Sequence, residues 1–271
     1  MVQPFVRYRD AMRTAWGDWW LAWPLLQQVA VGDVLQQDSG GAVRPAGTLT
    51  ERRIPYEETT PRARGEFVFD AGGAVDVRFK ASGTTDPLFS ALAEAEAGAL
   101  LRFGRENGVF VAYRGLTETG TPDARTLAAS LVRRYWQGSW DPELLAVTQV
   151  VRADTAAVLV ATGAEAAVEL RLATSLGAGP LQLADLAGGA EVARSRHLGF
   201  QWIGEHATPL FRVVRLRPKW LGGVRAEFGP AQPGRGLDGE PVPEVLLEEA
   251  LADPSAVLET PPQPAGPEDT S

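Results

Sequence analysis

The chain of 271 residues contains no cysteine. Disulfides, thiolate metal sites and cysteine nucleophiles are thereby excluded, and the redox state of the compartment leaves no mark. Histidine is almost as scarce: His197 and His206 are the two, nine residues apart. A metal pair on one helix wants ligands about three to five residues apart, so both read as structural. No glycine-rich phosphate cradle follows a strand, since Gly177-Ala178-Gly179 lacks a third glycine and a following helix. No serine sits in a Gly-x-Ser-x-Gly elbow. Glu57-Glu58 is a surface charge pair, because nothing apolar nearby would separate two carboxylate pKa values. No catalytic residue, no metal and no cofactor is expected, and the chain reads as a non-enzyme.

Long apolar runs are missing too. None reaches the roughly 18 residues of a membrane-crossing helix, and the N-terminus lacks a basic stub followed by an apolar core and a cleavage site, so the expected location is cytoplasmic. Lysine is rare, two against 24 arginines. Residues 1–224 nevertheless balance 24 basic against 24 acidic residues, without the positive excess of nucleic-acid binders. The net charge of −8 therefore lies in Arg225 to Ser271, where two Arg face ten Asp plus Glu.

What is present is a β-rich body. Leu144 to Leu172 is rich in Val, Leu, Thr and Ala. It predicts a strand from Leu144 to Val151, a corner at Ala153-Asp154-Thr155, and a hairpin around Gly163-Ala164-Glu165 carrying Val158, Val160, Val168 and Leu170. Phe67 and Phe69, then Val75, Val77 and Phe79, alternate with charged residues on either side of 71–74, which predicts a second hairpin. Asn107-Gly108 predicts a third, between Leu100–Phe103 and Val109–Tyr113. Short strands are expected at Val31–Leu35 and at Val43, around a Ser39-Gly40-Gly41 turn, with loop from Pro55 to Arg64. Further strands are expected at Gly199–Ile203 and Leu210–Leu216.

Helices are predicted over residues 4–23, closed by Pro24, and from Thr121-Pro122 to Gly138. Asp86-Pro87 is a helix start, followed by a stretch that suits helix or strand, and Glu191–His197 reads as a short helix. The N-terminal helix sets Phe5, Tyr8, Met12, Ala15, Trp16, Trp19 and Trp23 in one stripe, with Trp20 beside it and Arg7, Arg9 and Arg13 away from it. That stripe is either an interfacial membrane face or a terminal helix pressed onto the sheet. The fold class is α+β: a mainly antiparallel twisted sheet with peripheral helices, residues 1–223, and an acidic tail, 224–271. Nine prolines fall among residues 230–271, a composition that predicts disorder, except for a short amphipathic helix at 243–253. There Val245, Leu246, Leu247, Ala250 and Leu251 suit docking onto a groove.

Ala146-Val147-Thr148-Gln149-Val150-Val151, leading into a long strand pair, resembles the gasdermin pore-forming domain, whose Val-Thr-Glu-Val run holds a similar position. Thr208-Pro209-Leu210-Phe211-Arg212-Val213-Val214-Arg215-Leu216 looks like the strand that closes that domain. The length suits a bacterial member, in which a short C-terminal peptide inhibits. Gln149 departs from the Glu of that run, the early cysteine that some members lipidate is missing, and no recognisable protease site marks the tail. The resemblance implies a cytoplasmic pore former, a cell-death or anti-phage effector, held inactive by Val245 to Leu251. An activating protease would cut within Arg225 to Pro241. The body would then bind membrane lipid through Arg7, Arg9, Arg13 and the tryptophans, and self-associate into a ring in the inner membrane. The alternative is a soluble, non-catalytic α+β binding or scaffold module whose acidic tail recruits a protein partner.

Overall fold

Runs in which Val, Phe and Tyr alternate with polar residues gain most by pairing in sheets with one face buried. The computed structural model of the chain describes residues 4–23, 28–37, 43–70, 73, 75–163, 165–172, 182–188, 190–229 and 241–264. Its fold is α+β and mainly antiparallel, as the patterning predicts. Helix α1 (Pro4–Trp16) leads into the short strands β1 (Trp20–Leu21), β2 (Asp33–Gln37) and β3 (Val43–Thr48). Strands β4 (Arg62–Asp70), β5 (Val75–Lys80), β6 (Gly98–Phe103) and β7 (Val109–Gly120) precede helix α2 (Ala124–Trp136). Strands β8 (Leu144–Ala161) and β9 (Ala167–Leu172) follow, then a 3-10 turn at Leu183–Ala187 and strands β10 (Ala190–Arg196) and β11 (Leu198–Leu216). The chain closes with α3 (Pro218–Phe228), α4 (Glu244–Ala252), α5 (Pro254–Val257) and β12 (Leu258–Glu259).

One sheet has eight strands and contains the run β4-β7-β8-β11, with β1 and β12 on the outer edge of β11 and the β2–β3 pair beside the start of β8. The other has four, in the order β5-β6-β9-β10. These are the same order, because β4 runs into β5, β6 into β7, β8 into β9 and β10 into β11. The two layers are thus one antiparallel sheet of four long ribbons, folded over on itself. Phe103, Phe110, Leu159, Ala161, Val168 and Leu170 fill the space between the layers.

All three predicted hairpins are corrected by this arrangement. β4 pairs with β7 rather than β5, β6 with β5 and β9 rather than β7, and β8 with β7, β11 and β2 rather than β9. Phe67 and Phe69 therefore lie in one sheet and Val75, Val77 and Phe79 in the other; Val158 and Val160 are likewise separated from Val168 and Leu170. The sequence marked the reversals correctly and the partners wrongly. Each crossing holds a residue with left-handed φ: Gly73 at 65°, Asn107 at 63°, Glu165 at 67° and His197 at 54°. A sharp change of direction needs such a residue whether the flanking strands pair or cross to another layer. Ala71, Gly72, Ala74 and Ala164 lie outside the described residues.

Other boundaries shift for local reasons. No corner interrupts β8 at 153–155; irregular register in β11 between Ala207 and Leu210 absorbs the bend there. The strands expected at 199–203 and 210–216 are one strand, β11. Residues 190–196 pair with β9 instead of forming a helix, and the Asp86-Pro87 start leads only into turns. The loop expected up to Arg64 ends at Pro61, where β4 begins. Helix α1 stops at Trp16 because Gly17, at φ 57°, takes the left-handed position that ends helices, and the chain turns back as β1. Pro24, the 39–41 turn and Gly177–Gly179 lie outside the described residues. Helix α2 forms as the sequence predicts. The Asp123 carboxylate accepts the Thr126 hydroxyl and the Arg125 and Thr126 N–H groups, the last two at 3.0 and 2.9 Å, and these bonds, the hydroxyl first, hold its pKa below the ordinary value.

Candidate functional site

The face of the ribbons decides what they can do. On the eight-stranded side, the registered rows Phe67–Tyr113–Ala156 and Phe69–Val111–Val158–Trp202, with Val109–Val160–Phe200 next to them, point toward α1. On the four-stranded side, Val77–Leu101–Val168 and Phe79–Ala99–Leu170–Val192 point into the space between layers. From Phe69 to Val75, Phe103 to Val109, Val160 to Val168 and Val192 to Phe200 the chain always takes an even number of steps. Side chains alternate with period two along a strand. Drawn straight, each ribbon would therefore place both apolar sets on one continuous face. The fold hides one half of that face between the layers and the other under α1.

Helix α1 covers its half with Phe5, Tyr8 and Met12. The Tyr8 hydroxyl is hydrogen-bonded to the Tyr113 hydroxyl in a fully buried pair. Burial pushes both phenol pKa values well above the ordinary 10.0. The unfolded chain gives up these protons near pH 10 and the folded one does not, so this contribution to stability is complete below pH 10 and is lost as pH rises through the raised folded values. In an alkaline titration followed at the tyrosinate absorbance band, the Tyr8 and Tyr113 phenols are expected to stay protonated until the protein unfolds. Tyr8→Phe should lower the tyrosinate signal released at unfolding by one residue.

The C-terminal segment grips the body at three places. Leu246 and Ala250 of α4, with Val257 and Leu258, are buried in a cluster with Leu127, Leu131, Tyr135 and Trp136 of α2 and Trp220, Leu221 and Val224 of α3. Each large apolar side chain buried there is worth about 1.5–3 kcal/mol of gross transfer energy. The Trp220 indole N–H donates to Glu249 Oε2 at 2.9 Å. Next, β12 adds to the end of β11: Leu216 lies opposite Leu258, and Arg215 pairs with Glu259 at 2.9 Å. Last, the extended end reaches the N-terminal region. The Trp20 indole donates to the Pro261 carbonyl at 2.9 Å. The Gln263 side chain accepts from Leu21 N at 3.0 Å and donates to Leu21 O at 2.7 Å, and Arg9 donates to the Pro264 carbonyl at 3.1 Å. The tail thus holds both the helical end of the body and the segment next to α1.

A weak structural likeness accompanies this geometry. No protein-family model and no curated protein matches the chain. A solved structure of a bacterial gasdermin from Bradyrhizobium tropiciagri is similar to it with a TM-score of 0.33 and 11% identity, over 78% of this chain and 86% of that one.

The structure places the residues singled out from sequence as follows. Trp16 meets Phe67 edge-on at 5.3 Å between centroids, Trp23 lies 4.4 Å from Phe200, and Arg212 sits over Trp19 at 4.7 Å. Trp20 is buried, Arg7 and Arg9 are partly buried, and Arg13 is exposed. The tryptophans therefore pack on the protein in this state. In α4, Leu247 is partly buried against the same cluster as Leu246 and Ala250, while Val245 and Leu251 face solvent. Most of the Arg225 to Pro241 stretch, residues 230–240, lies outside the described residues. The two histidines are exposed, both with left-handed φ of 54°, and among the described residues no set of His, Asp and Glu gathers that could hold a metal. Sequence reasoning missed α3, whose Pro218 start was legible but whose Gly222-Gly223 read as a domain end. It also missed Gln263, which no local pattern marks.

Proposed function

We propose that this chain is a pore-forming protein of the gasdermin kind, held inactive by its own C-terminal segment and released by proteolysis between α3 and α4. The observation that carries the reading is the folded four-ribbon sheet, whose two hidden apolar faces merge when the bends straighten. Ribbons spanning 62–80, 98–120, 144–172 and 190–216 exceed the roughly 9–11 residues that a β-strand needs to cross a bilayer. Glu165 and His197 hold left-handed backbone at their bends, a conformation costing about 1–2 kcal/mol for a residue with a Cβ, and straightening relieves that cost. Opposing this, α1 covers one apolar half, and the tail end at 261–264 holds the segment that follows α1. Tethering keeps the tail at roughly millimolar local concentration, so modest contacts suffice until the chain is cut. Cutting then lets the tail leave, α1 lift, and copies assemble in the bilayer.

The test is a full-length chain carrying a protease site within residues 230–240, mixed with dye-loaded anionic vesicles. Dye release is expected on cutting and not before. A second reading, a soluble module whose tail recruits a partner, is favoured by Val245 and Leu251, which lie exposed on α4. A cut chain that stays folded and soluble and leaves the vesicles tight would favour that module.

A further inference from the structure

The opposite face of the folded sheet carries charge in a regular way. Across the four-stranded sheet, three successive rows read Asp76–Arg102–Ala167–Arg196, Arg78–Leu100–Glu169–Arg194 and Lys80–Gly98–Arg171–Glu191. Each row holds two cations and one anion, a net +1. The rows between them are the apolar ones that face the other layer. Asp76, Arg78, Arg102, Arg171, Glu191, Arg194 and Arg196 are exposed, and Asp76, Arg102, Arg194 and Arg196 line an open groove of about 990 Å³. Lys80 and Glu169 are covered by the 81–97 segment, which also meets two of the exposed cations: Arg171 pairs with Glu96 at 2.8 Å and Arg194 donates to Ser90 Oγ at 2.9 Å. Lys80 Nζ donates to the Ala93, Glu94 and Glu96 carbonyls, and Glu169 accepts the Ala91 N–H. On the matching face of the eight-stranded half, the rows Val68–Ala112–Ala157–Ile203 and Asp70–Phe110–Leu159–Gln201 add one formal charge, at Asp70.

We propose that these three rows line the water-filled wall of the assembled pore and make it select for anions. This rests on the pore reading above. Lipid must meet the apolar face, because charged side chains are strongly disfavoured in hydrocarbon, so the charged face is left to the lumen. Repeated around a ring of copies, each row becomes a ring of charge with an excess of +1 per copy, and rings of Arg and Lys favour anions. An ion more than a Debye length from the wall does not feel it. The preference is therefore sharpest at about 10 mM salt, where that length is about 30 Å, against about 8 Å at physiological strength.

The experiment uses the full-length chain with the inserted protease site, cut on a planar bilayer of phosphatidylcholine and phosphatidylserine across a dilute potassium chloride gradient. The reversal potential is expected to show chloride preferred over potassium by about twofold or more. In Arg102→Glu/Arg196→Glu the first row changes from +1 to −3, and the potential should change sign. Asp76→Asn should raise the chloride preference. All three side chains are exposed, so cut-dependent conductance of unchanged size in about 1 M salt, where a Debye length of about 3 Å screens the wall, shows that each variant still folds and assembles. Conductance with no ion preference, with a potassium preference, or with a chloride preference indifferent to these substitutions would overturn the inference while leaving the pore intact. No conductance in any arm would remove the pore reading itself and this inference with it.

Discussion

Leu246→Asp and Ala250→Arg, each placed in the uncut chain, are expected to release dye from anionic vesicles with no protease present. Leu246 is 5% exposed and Ala250 0%, both facing the α2–α3 cluster. A charge forced into that cluster has no partner, and an uncompensated buried charge costs about 3 kcal/mol or more. Such a cost raises the undocked fraction of the tail by roughly a hundredfold. Val245→Asp and Leu251→Asp are the controls. Their side chains are 56% and 44% exposed on the outer side of the same helix, so the uncut chain should remain silent. Leakage from all four variants alike would mean that helix charge, rather than loss of docking, was responsible.

The second expected result is a chemical lock. Arg215 and Glu259 lie directly opposite each other where β12 meets β11, and paired strand positions fall within the Cα separation that a disulfide spans. Because the chain has no cysteine of its own, Arg215→Cys/Glu259→Cys forms one defined bond. After cutting within 230–240 under oxidising conditions, the tail should remain attached by mass, and leakage should stay at least about tenfold below that of the reduced protein, a difference of roughly 1.4 kcal/mol or more on the activation barrier. Reductant should restore full leakage within the same sample. Equal leakage with the bond intact would show that departure of the tail is not the trigger.

Much of this organisation was legible in the chain, and what was not has a physical reason. Alternation from Phe67 to Phe79 and from Val158 to Leu170 identified strands, because period two reflects one buried face. It did not identify partners. A residue sits on the same side of its own strand whichever neighbour pairs with it, and Asn107 or Gly73 reverses the chain equally well into a hairpin or into another layer. The proline-bounded α4 was visible as an amphipathic helix. Its groove was not, since α2 and α3 meet only through tertiary packing. The clasp of Gln263 on Leu21 joins residues 242 positions apart, a separation over which a single sequence carries no periodic signal. The acidic tail announced itself by charge, yet α4 and the residues after it dock through apolar side chains, Leu246, Ala250, Val257 and Leu258.

The central claim is that two buried apolar faces become one face against lipid. The most direct measurement places a fluorophore on single cysteines along 66–80 and 158–172 in the cut protein, on vesicles whose acyl chains carry a quencher. Quenching by the acyl chains is expected at Phe67, Phe69, Val75, Val77, Phe79, Val158, Val160, Val168 and Leu170 and not at Glu66, Asp76, Arg78 and Arg171, an alternation unbroken across both bends. Apolar positions that the lipid-borne quencher does not reach, as in the uncut protein, would contradict it.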